Sequence, residues 1–100
     1  MFKYLVISIP NGVDTTTAVL APRIITEIPE EALRVAREVH EKEYYWIASI
    51  VIYRMQEGKV YSLDDSKGTA ENPCFTTMCI ISRMHGGGER HERFYHNFPH

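Results

Sequence analysis

The chain has only two cysteines, no long hydrophobic run and little net charge, and these features limit the classes of protein to which it can belong. The longest apolar stretch, residues 47–53, is interrupted by Ser49 and falls far short of the roughly 20 residues of a membrane-spanning helix. A formal net charge of -2 provides no global attraction to nucleic acid. We therefore expect no membrane segment, and any charged partner must meet a local patch.

The N-terminus and the cysteines both indicate a cytoplasmic protein. Lys3 lies inside an alternating, strand-like pattern with no small-residue cleavage site after it, so we do not expect a secretory signal peptide. Without export, Cys74 and Cys79 are expected to be free thiols rather than a disulfide.

The length and composition predict one domain, which we place at residues 1–84, followed by a histidine-, glycine- and aromatic-rich tail at residues 85–100. One hundred residues, 44% of them hydrophobic and 24% charged, are enough for one modest core. A second domain would leave each half too small to sustain a core of its own.

Strand-like patterns precede the helix. Residues 2–9 are apolar at both alternating sets of positions, which is typical of a central strand. The turn signal at residues 10–12 then predicts a hairpin with a β-branched return strand at residues 13–20. Pro22 breaks this run, and residues 23–28 form either a short edge strand or an irregular approach to the helix.

A single amphipathic helix is predicted over residues 29–43. Pro29 suits the first helical turn, and acidic residues follow it at the positive end of the helix dipole. The expected apolar stripe consists of Ala32, Val35, Ala36 and Val39. We place His40 on the polar side, near the C-terminal end of the helix.

Three more strands are predicted after the helix. Residues 44–55 are apolar on both alternating faces, and a glycine-bearing connection leads to a hairpin partner at residues 60–63. A polar loop at 64–73 precedes the last strand at 74–84. The order ββ(β)αβββ predicts an α+β fold, with a mostly antiparallel sheet of about five strands and one covering helix.

One helix leaves one face of the sheet without a cover. At least two strands carry large apolar residues on both faces, so the second face also has to be buried. The tail, a curl of the sheet, a second copy of the chain or another partner could cover it. We rank self-association first, because symmetric dimers are the commonest closed oligomers.

Aromatic and arginine side chains are the main candidates for contact with a partner, since Tyr, Trp and Arg dominate binding hot spots. The candidate residues are Tyr45, Trp46, Tyr53, Arg83, Arg90, Arg93, Phe94 and Tyr95. In an alternative interpretation, Tyr45, Trp46 and Tyr53 form an aromatic wall for a small ligand or nucleotide. Arg83 or the tail would supply the charge, and such a pocket could have weak hydrolytic activity.

Nucleic-acid binding is a third interpretation, and the sequence weighs against it. It requires Arg90 and Arg93 to line one face together with other cations. Each of these arginines is flanked by a glutamate, so the local charge is nearly balanced.

Four of the five histidines lie in the tail, at His85, His91, His96 and His100. Imidazole is a ready ligand for zinc, nickel or copper. Structural zinc sites use tighter paired spacings and usually cysteine, so we expect adventitious metal affinity rather than a metal site or another cofactor.

The sequence offers no persuasive set of nucleophile, base and orienting carboxylate, so catalysis is not expected. The leading interpretation is a small interaction protein that binds another protein through a sheet face or edge and through the tail, as a homodimer. Regulators, adaptors and inhibitors of larger assemblies, including those of viruses and mobile elements, belong to this class.

Overall fold

One α-helix packs against a five-stranded antiparallel sheet in the computed structural model, which describes residues 1–83 and 88–99. The elements are β1 (Tyr4–Pro10), β2 (Pro22–Thr26), α1 (Pro29–Glu43), β3 (Ile47–Met55), 3₁₀ helices at Leu63–Ser66 and Thr69–Glu71, β4 (Phe75–Arg83) and β5 (Arg90–Phe94). The strand order is β2-β1-β3-β4-β5, so β2 and β5 are the edges. The predicted α+β class is confirmed. No helix among the described residues is both long and apolar enough to cross a membrane.

The helix begins and ends at the predicted residues, but its buried face is rotated from the predicted stripe. The buried residues are Ala32, Leu33, Ala36 and His40, whereas Val35 and Val39 are only partly buried. His40 is 1% exposed, so its predicted place on the polar side is wrong. Leu33, Ala36 and His40 are spaced by three and four residues, and this track faces the sheet.

The sheet buries apolar side chains on both faces. The core on the helix side consists of Val6, Ala32, Leu33, Ala36, Ile47, Ile50, Ile52, Met78, Cys79, Ile81 and Phe98. The core on the other face consists of Leu5, Ile7, Leu20, Val51, Tyr53 and Met55, with Val13, Ala18 and Tyr61 among the partly buried residues around it. Several of these residues belong to two connections, residues 11–21 and 56–74, which we call the cover loops. The chain therefore covers much of its own second face.

The predicted return strand at residues 13–20 is wrong. Asp14 accepts hydrogen bonds from the backbone N–H and the hydroxyl of Thr16, at 2.9 and 2.7 Å, which folds this segment into a turn. β2, at the segment whose conformation the sequence left open, pairs with β1 instead. The β-branched residues of 13–20 thus lie in a cover loop.

The predicted strand at residues 60–63 is also wrong. Ser62 and Asp65 form a reciprocal capping box that starts the 3₁₀ helix Leu63–Ser66. The Asp65 carboxylate accepts hydrogen bonds from the backbone N–H and hydroxyl of Ser62 at 2.8 and 3.0 Å. These bonds hold the pKa of Asp65 below its ordinary value. β3 pairs with β1 and β4 on its two sides, so residues 60–63 have no place beside it.

β3 begins later than predicted, because residues 44–46 form a turn after the helix. The pairing with β1 is irregular near the start of the strand, where Ile9 pairs with Ser49 but Pro10 pairs with Ile47. As a result, Ile47 joins the helix-side core while Val51 joins the other one. A strand without this irregularity would place both residues on the same face.

The segment predicted to be a tail supplies the fifth strand. β5 pairs antiparallel with β4, and Phe98 is fully buried in the helix-side core, edge-on to Tyr4. Arg37 of the helix donates two hydrogen bonds of 2.8 Å to the Glu92 carboxylate of β5. The packed fold therefore continues beyond residue 84.

Candidate functional site

Two predicted site residues, Tyr45 and Trp46, form a cluster of exposed aromatic side chains together with the preceding Tyr44. We call Tyr44, Tyr45 and Trp46 the aromatic turn. Their side chains are 47%, 72% and 36% exposed. The turn is held at both ends, since Trp46 N–H donates to the Glu43 carbonyl at 3.2 Å and Asn11 N–H donates to the Trp46 carbonyl at 3.1 Å. The helix end and the end of β1 together fix this segment.

Arg83, the last residue of β4, is fixed against the aromatic turn. Its guanidinium carbon lies 4.4 Å from the centre of the Tyr44 ring, which is a cation–π distance. One guanidinium nitrogen also donates to the Gly88 carbonyl at 3.3 Å. The rings of Tyr44 and Tyr45 meet edge to face, with centroids 6.4 Å apart. Three of the four side chains at this surface are thus oriented by contacts with one another.

The arginines of β5 point to opposite faces of the sheet. Arg90 pairs with Arg83 in register and lies 3.4 Å from the Glu92 carboxylate on the helix side. Arg93 pairs with Ile80 and lies an odd number of positions after Arg90 in β5. Its side chain therefore points to the other face. The arrangement required for nucleic-acid binding, with Arg90 and Arg93 on one face, does not form.

A groove lies beside Arg93 on that other face. It has a volume of about 440 Å³. We call it the β4–β5 groove. It is lined by Ile80, Ser82, His91, Arg93 and Tyr95. Three of them were singled out in the sequence as arginine, aromatic or histidine candidates. The structure brings them together with two residues of β4.

Two predicted site residues pack with the cores, where Tyr53 is buried and Phe94 is partly buried. Tyr53 is 4% exposed beneath the cover loops, and burial raises the pKa of its hydroxyl. Phe94 packs on the helix-side core and stacks on Phe98, with ring centroids 6.3 Å apart. An aromatic wall of Tyr45, Trp46 and Tyr53 therefore does not exist, because Tyr53 is enclosed by the chain itself.

The cysteines are free, as expected, and Cys79 is buried. Burial raises the pKa of the Cys79 thiol to about 12, so it carries no thiolate at neutral pH. Cys74 lies just before β4 rather than within the last strand as predicted.

The predicted histidine cluster is only partly within the described residues. His85 and His100 lie outside them, His91 lies in the β4–β5 groove, and His96 lies in an exposed turn. In residues 1–83 and 88–99, no three His, Cys, Asp or Glu side chains are grouped so that they could hold a metal ion.

Comparisons with models of protein families, with curated proteins and with solved structures find no match for this chain.

Sequence reasoning missed the two β4 residues of the groove, Ile80 and Ser82. A strand at residues 90–94 beside 74–84 would point its successive side chains to alternate faces of the sheet, and this pattern could have indicated the groove. The glycines at 86–88 and the histidines led instead to the prediction of a tail.

Proposed function

We propose that the protein is a small non-catalytic interaction protein of the cytoplasm that binds a protein partner through the aromatic turn and Arg83. The observation that carries this proposal is the exposure of Tyr44, Tyr45 and Trp46 on a turn fixed by backbone hydrogen bonds. A side chain that is 72% exposed, like that of Tyr45, projects from the surface rather than lining a deep pocket.

The physical case rests on composition and rigidity. Tyr, Trp and Arg are the residues most enriched at binding hot spots, and here four of them are adjacent. Aromatic side chains bury a large area while losing little conformational entropy. The contacts among Tyr44, Tyr45 and Arg83 reduce that loss further, because these side chains are already oriented before a partner arrives.

A protein of different sequence is favoured over a second copy as the partner. The reason for expecting a homodimer was a sheet face without cover, and the cover loops bury much of that face. The homodimer stays a prediction that native mass spectrometry of the untagged protein tests directly. A ligand site with Tyr53 in its wall is not supported, since Tyr53 is buried.

Site-specific photocrosslinking tests the proposal. A photoreactive phenylalanine analogue at Tyr45 is expected to crosslink to a partner protein in cells, which mass spectrometry then identifies. With the purified partner, Tyr45→Ala and Trp46→Ala should each weaken binding by about tenfold or more, the effect of losing a hot-spot residue.

Val60 is the matched control, because its side chain is also 72% exposed but lies in a cover loop. The same analogue at Val60 should not capture the partner, and Val60→Ala should leave the affinity unchanged. The proposal fails if Tyr45 and Val60 capture the partner equally, or if the partner binds Tyr45→Ala and Trp46→Ala as tightly as the original chain.

A further inference from the structure

Arg93 differs from the other arginines because it has no partner among the residues that the structure describes. Six of the seven arginines contact a carboxylate, an aromatic ring or a carbonyl: Arg23, Arg34, Arg37, Arg54, Arg83 and Arg90. Arg93 makes no ion pair, side-chain hydrogen bond or ring contact with any residue in the described ranges. Its guanidinium donors are therefore available to a ligand.

The residues around Arg93 add further donors on the same face of the sheet. His91 lies two positions before Arg93 in β5, so both side chains point to one side. Ser82 is the cross-strand partner of His91, and Ile80 is the partner of Arg93. Tyr95 completes the groove. No carboxylate is among these lining residues, so none of the described residues of the groove neutralises the guanidinium.

We propose that the β4–β5 groove binds a phosphate monoester, with Arg93 holding the phosphate group. A guanidinium presents several N–H donors in a fixed fork that matches phosphate oxygens. The hydroxyls of Ser82 and Tyr95 and the imidazole of His91 provide further donors for the remaining oxygens.

The groove also explains why the ligand should be an ester rather than a bare ion. Its volume of about 440 Å³ exceeds the space that a lone phosphate occupies. Ile80 and the ring of Tyr95 offer apolar surface for the organic group of the ester. This site is separate from the aromatic turn, since Arg83 and Arg93 lie on opposite faces of the sheet.

Backbone amide NMR during titration with phenyl phosphate tests the proposal. Saturable shifts are expected at the amides of Ser82, His91 and Arg93. Arg93→Gln should weaken the affinity by about tenfold or more, as expected for the loss of hydrogen bonds to a charged group. The spectrum of this variant also reports whether the fold is intact, and the exposed position of Arg93 should leave it so.

Arg34→Gln is the matched control, because it removes the same charge from an exposed position on the helix. It should leave the affinity for phenyl phosphate unchanged. Inorganic phosphate should bind more weakly than phenyl phosphate, and benzoate more weakly still.

Four results would overturn the proposal. They are the absence of saturable shifts, equal weakening by Arg34→Gln and Arg93→Gln, benzoate binding as tight as phenyl phosphate, and inorganic phosphate binding as tight as the ester. A single-stranded oligonucleotide without terminal phosphates that displaces phenyl phosphate at lower concentration would assign the groove to nucleic acid instead. None of these results bears on the aromatic turn.

Discussion

His40 is a buried ionisable side chain whose protonation is coupled to folding. Burial lowers the pKa of His40 below its ordinary value of 6.5, and the charges of Arg83 on β4 and Arg90 on β5 lower this pKa further. Glu41 and Glu92 act in the opposite direction with smaller effect. The Nδ1 atom has no hydrogen-bond partner among the described residues. The folded protein therefore favours the neutral imidazole.

This shift predicts that acid weakens the fold through His40. The unfolded chain binds the proton more readily than the folded one, so the free energy of unfolding should fall as pH drops below about 6.5. His40→Leu removes the titration and keeps an apolar group of similar size in the core. Urea unfolding between about pH 5 and 7 should show a slope for the original chain and a flatter profile for His40→Leu.

His96→Asn is the control for this prediction, because His96 is exposed and asparagine tolerates its positive φ of 53°. It should retain the slope of the original chain. If His40→Leu keeps that slope as well, another group is responsible and the buried imidazole is not coupled to stability.

At the level of single residues, the sequence identified aromatic and charged candidates for the site but did not predict which of them are exposed. Tyr45 and Tyr53 are the same residue type in one predicted strand, yet one is on a turn and the other is in a core. The difference arises because β3 starts at Ile47 and because the cover loops pack over Tyr53. Neither cause is local to these tyrosines.

The two cover loops behave as one element because backbone hydrogen bonds join them. Leu20 N–H donates to the Ser66 carbonyl at 2.8 Å, and Gly68 N–H donates to the Ala18 carbonyl at 3.3 Å. Gly68 has a positive φ of 66°, and a Cβ atom there would lie 2.9 Å from the carbonyl oxygen of Thr16. Only glycine fits both the backbone conformation and the close approach.

Gly68→Ala should therefore destabilise the protein more than the same change at Gly58. Gly58 has a φ of 83° but nothing within 4 Å of its added Cβ, so Gly58→Ala carries the backbone strain alone, about 1 kcal/mol. Gly68→Ala adds the collision with the first cover loop, about 1 kcal/mol or more. Urea unfolding of the two variants measures the difference, and equal losses would show that the loops adjust freely at Gly68.

At the level of elements, the strongly periodic segments were predicted well and the short ones were not. The helix is confirmed at its predicted bounds because proline, acidic residues and the apolar pattern agree there. The segments 13–20 and 60–63 have strand composition, but hydrogen bonds to Asp14 fold the first into a turn, and those to Asp65 start a 3₁₀ helix at the end of the second. β5 was missed because its residues are mostly charged, and its place depends on β4 and Arg37.

For the whole molecule, the main difference from the expectation is how the second face of the sheet is covered. The sequence showed that both faces are apolar, but it could not show that two loops remote from each other would pack together over one of them. Val51 lies in the centre of that face and is 5% exposed beneath the chain's own residues. Its burial is therefore intramolecular, which has a measurable consequence.

Val51→Asp should lower the free energy of unfolding by about 3 kcal/mol or more, because it buries an unpaired carboxylate. If this variant does not fold, Val51→Thr, which buries only a hydroxyl, provides a milder test. Ile25→Asp is the control, since Ile25 lies on the same face opposite Leu5 but is 41% exposed. The loss at Val51 should stay constant over about a hundredfold range of protein concentration, because folding of a covered monomer does not depend on mass action. A loss that changes with concentration would mean that a second copy buries Val51, and that the cover loops do not protect this face in solution.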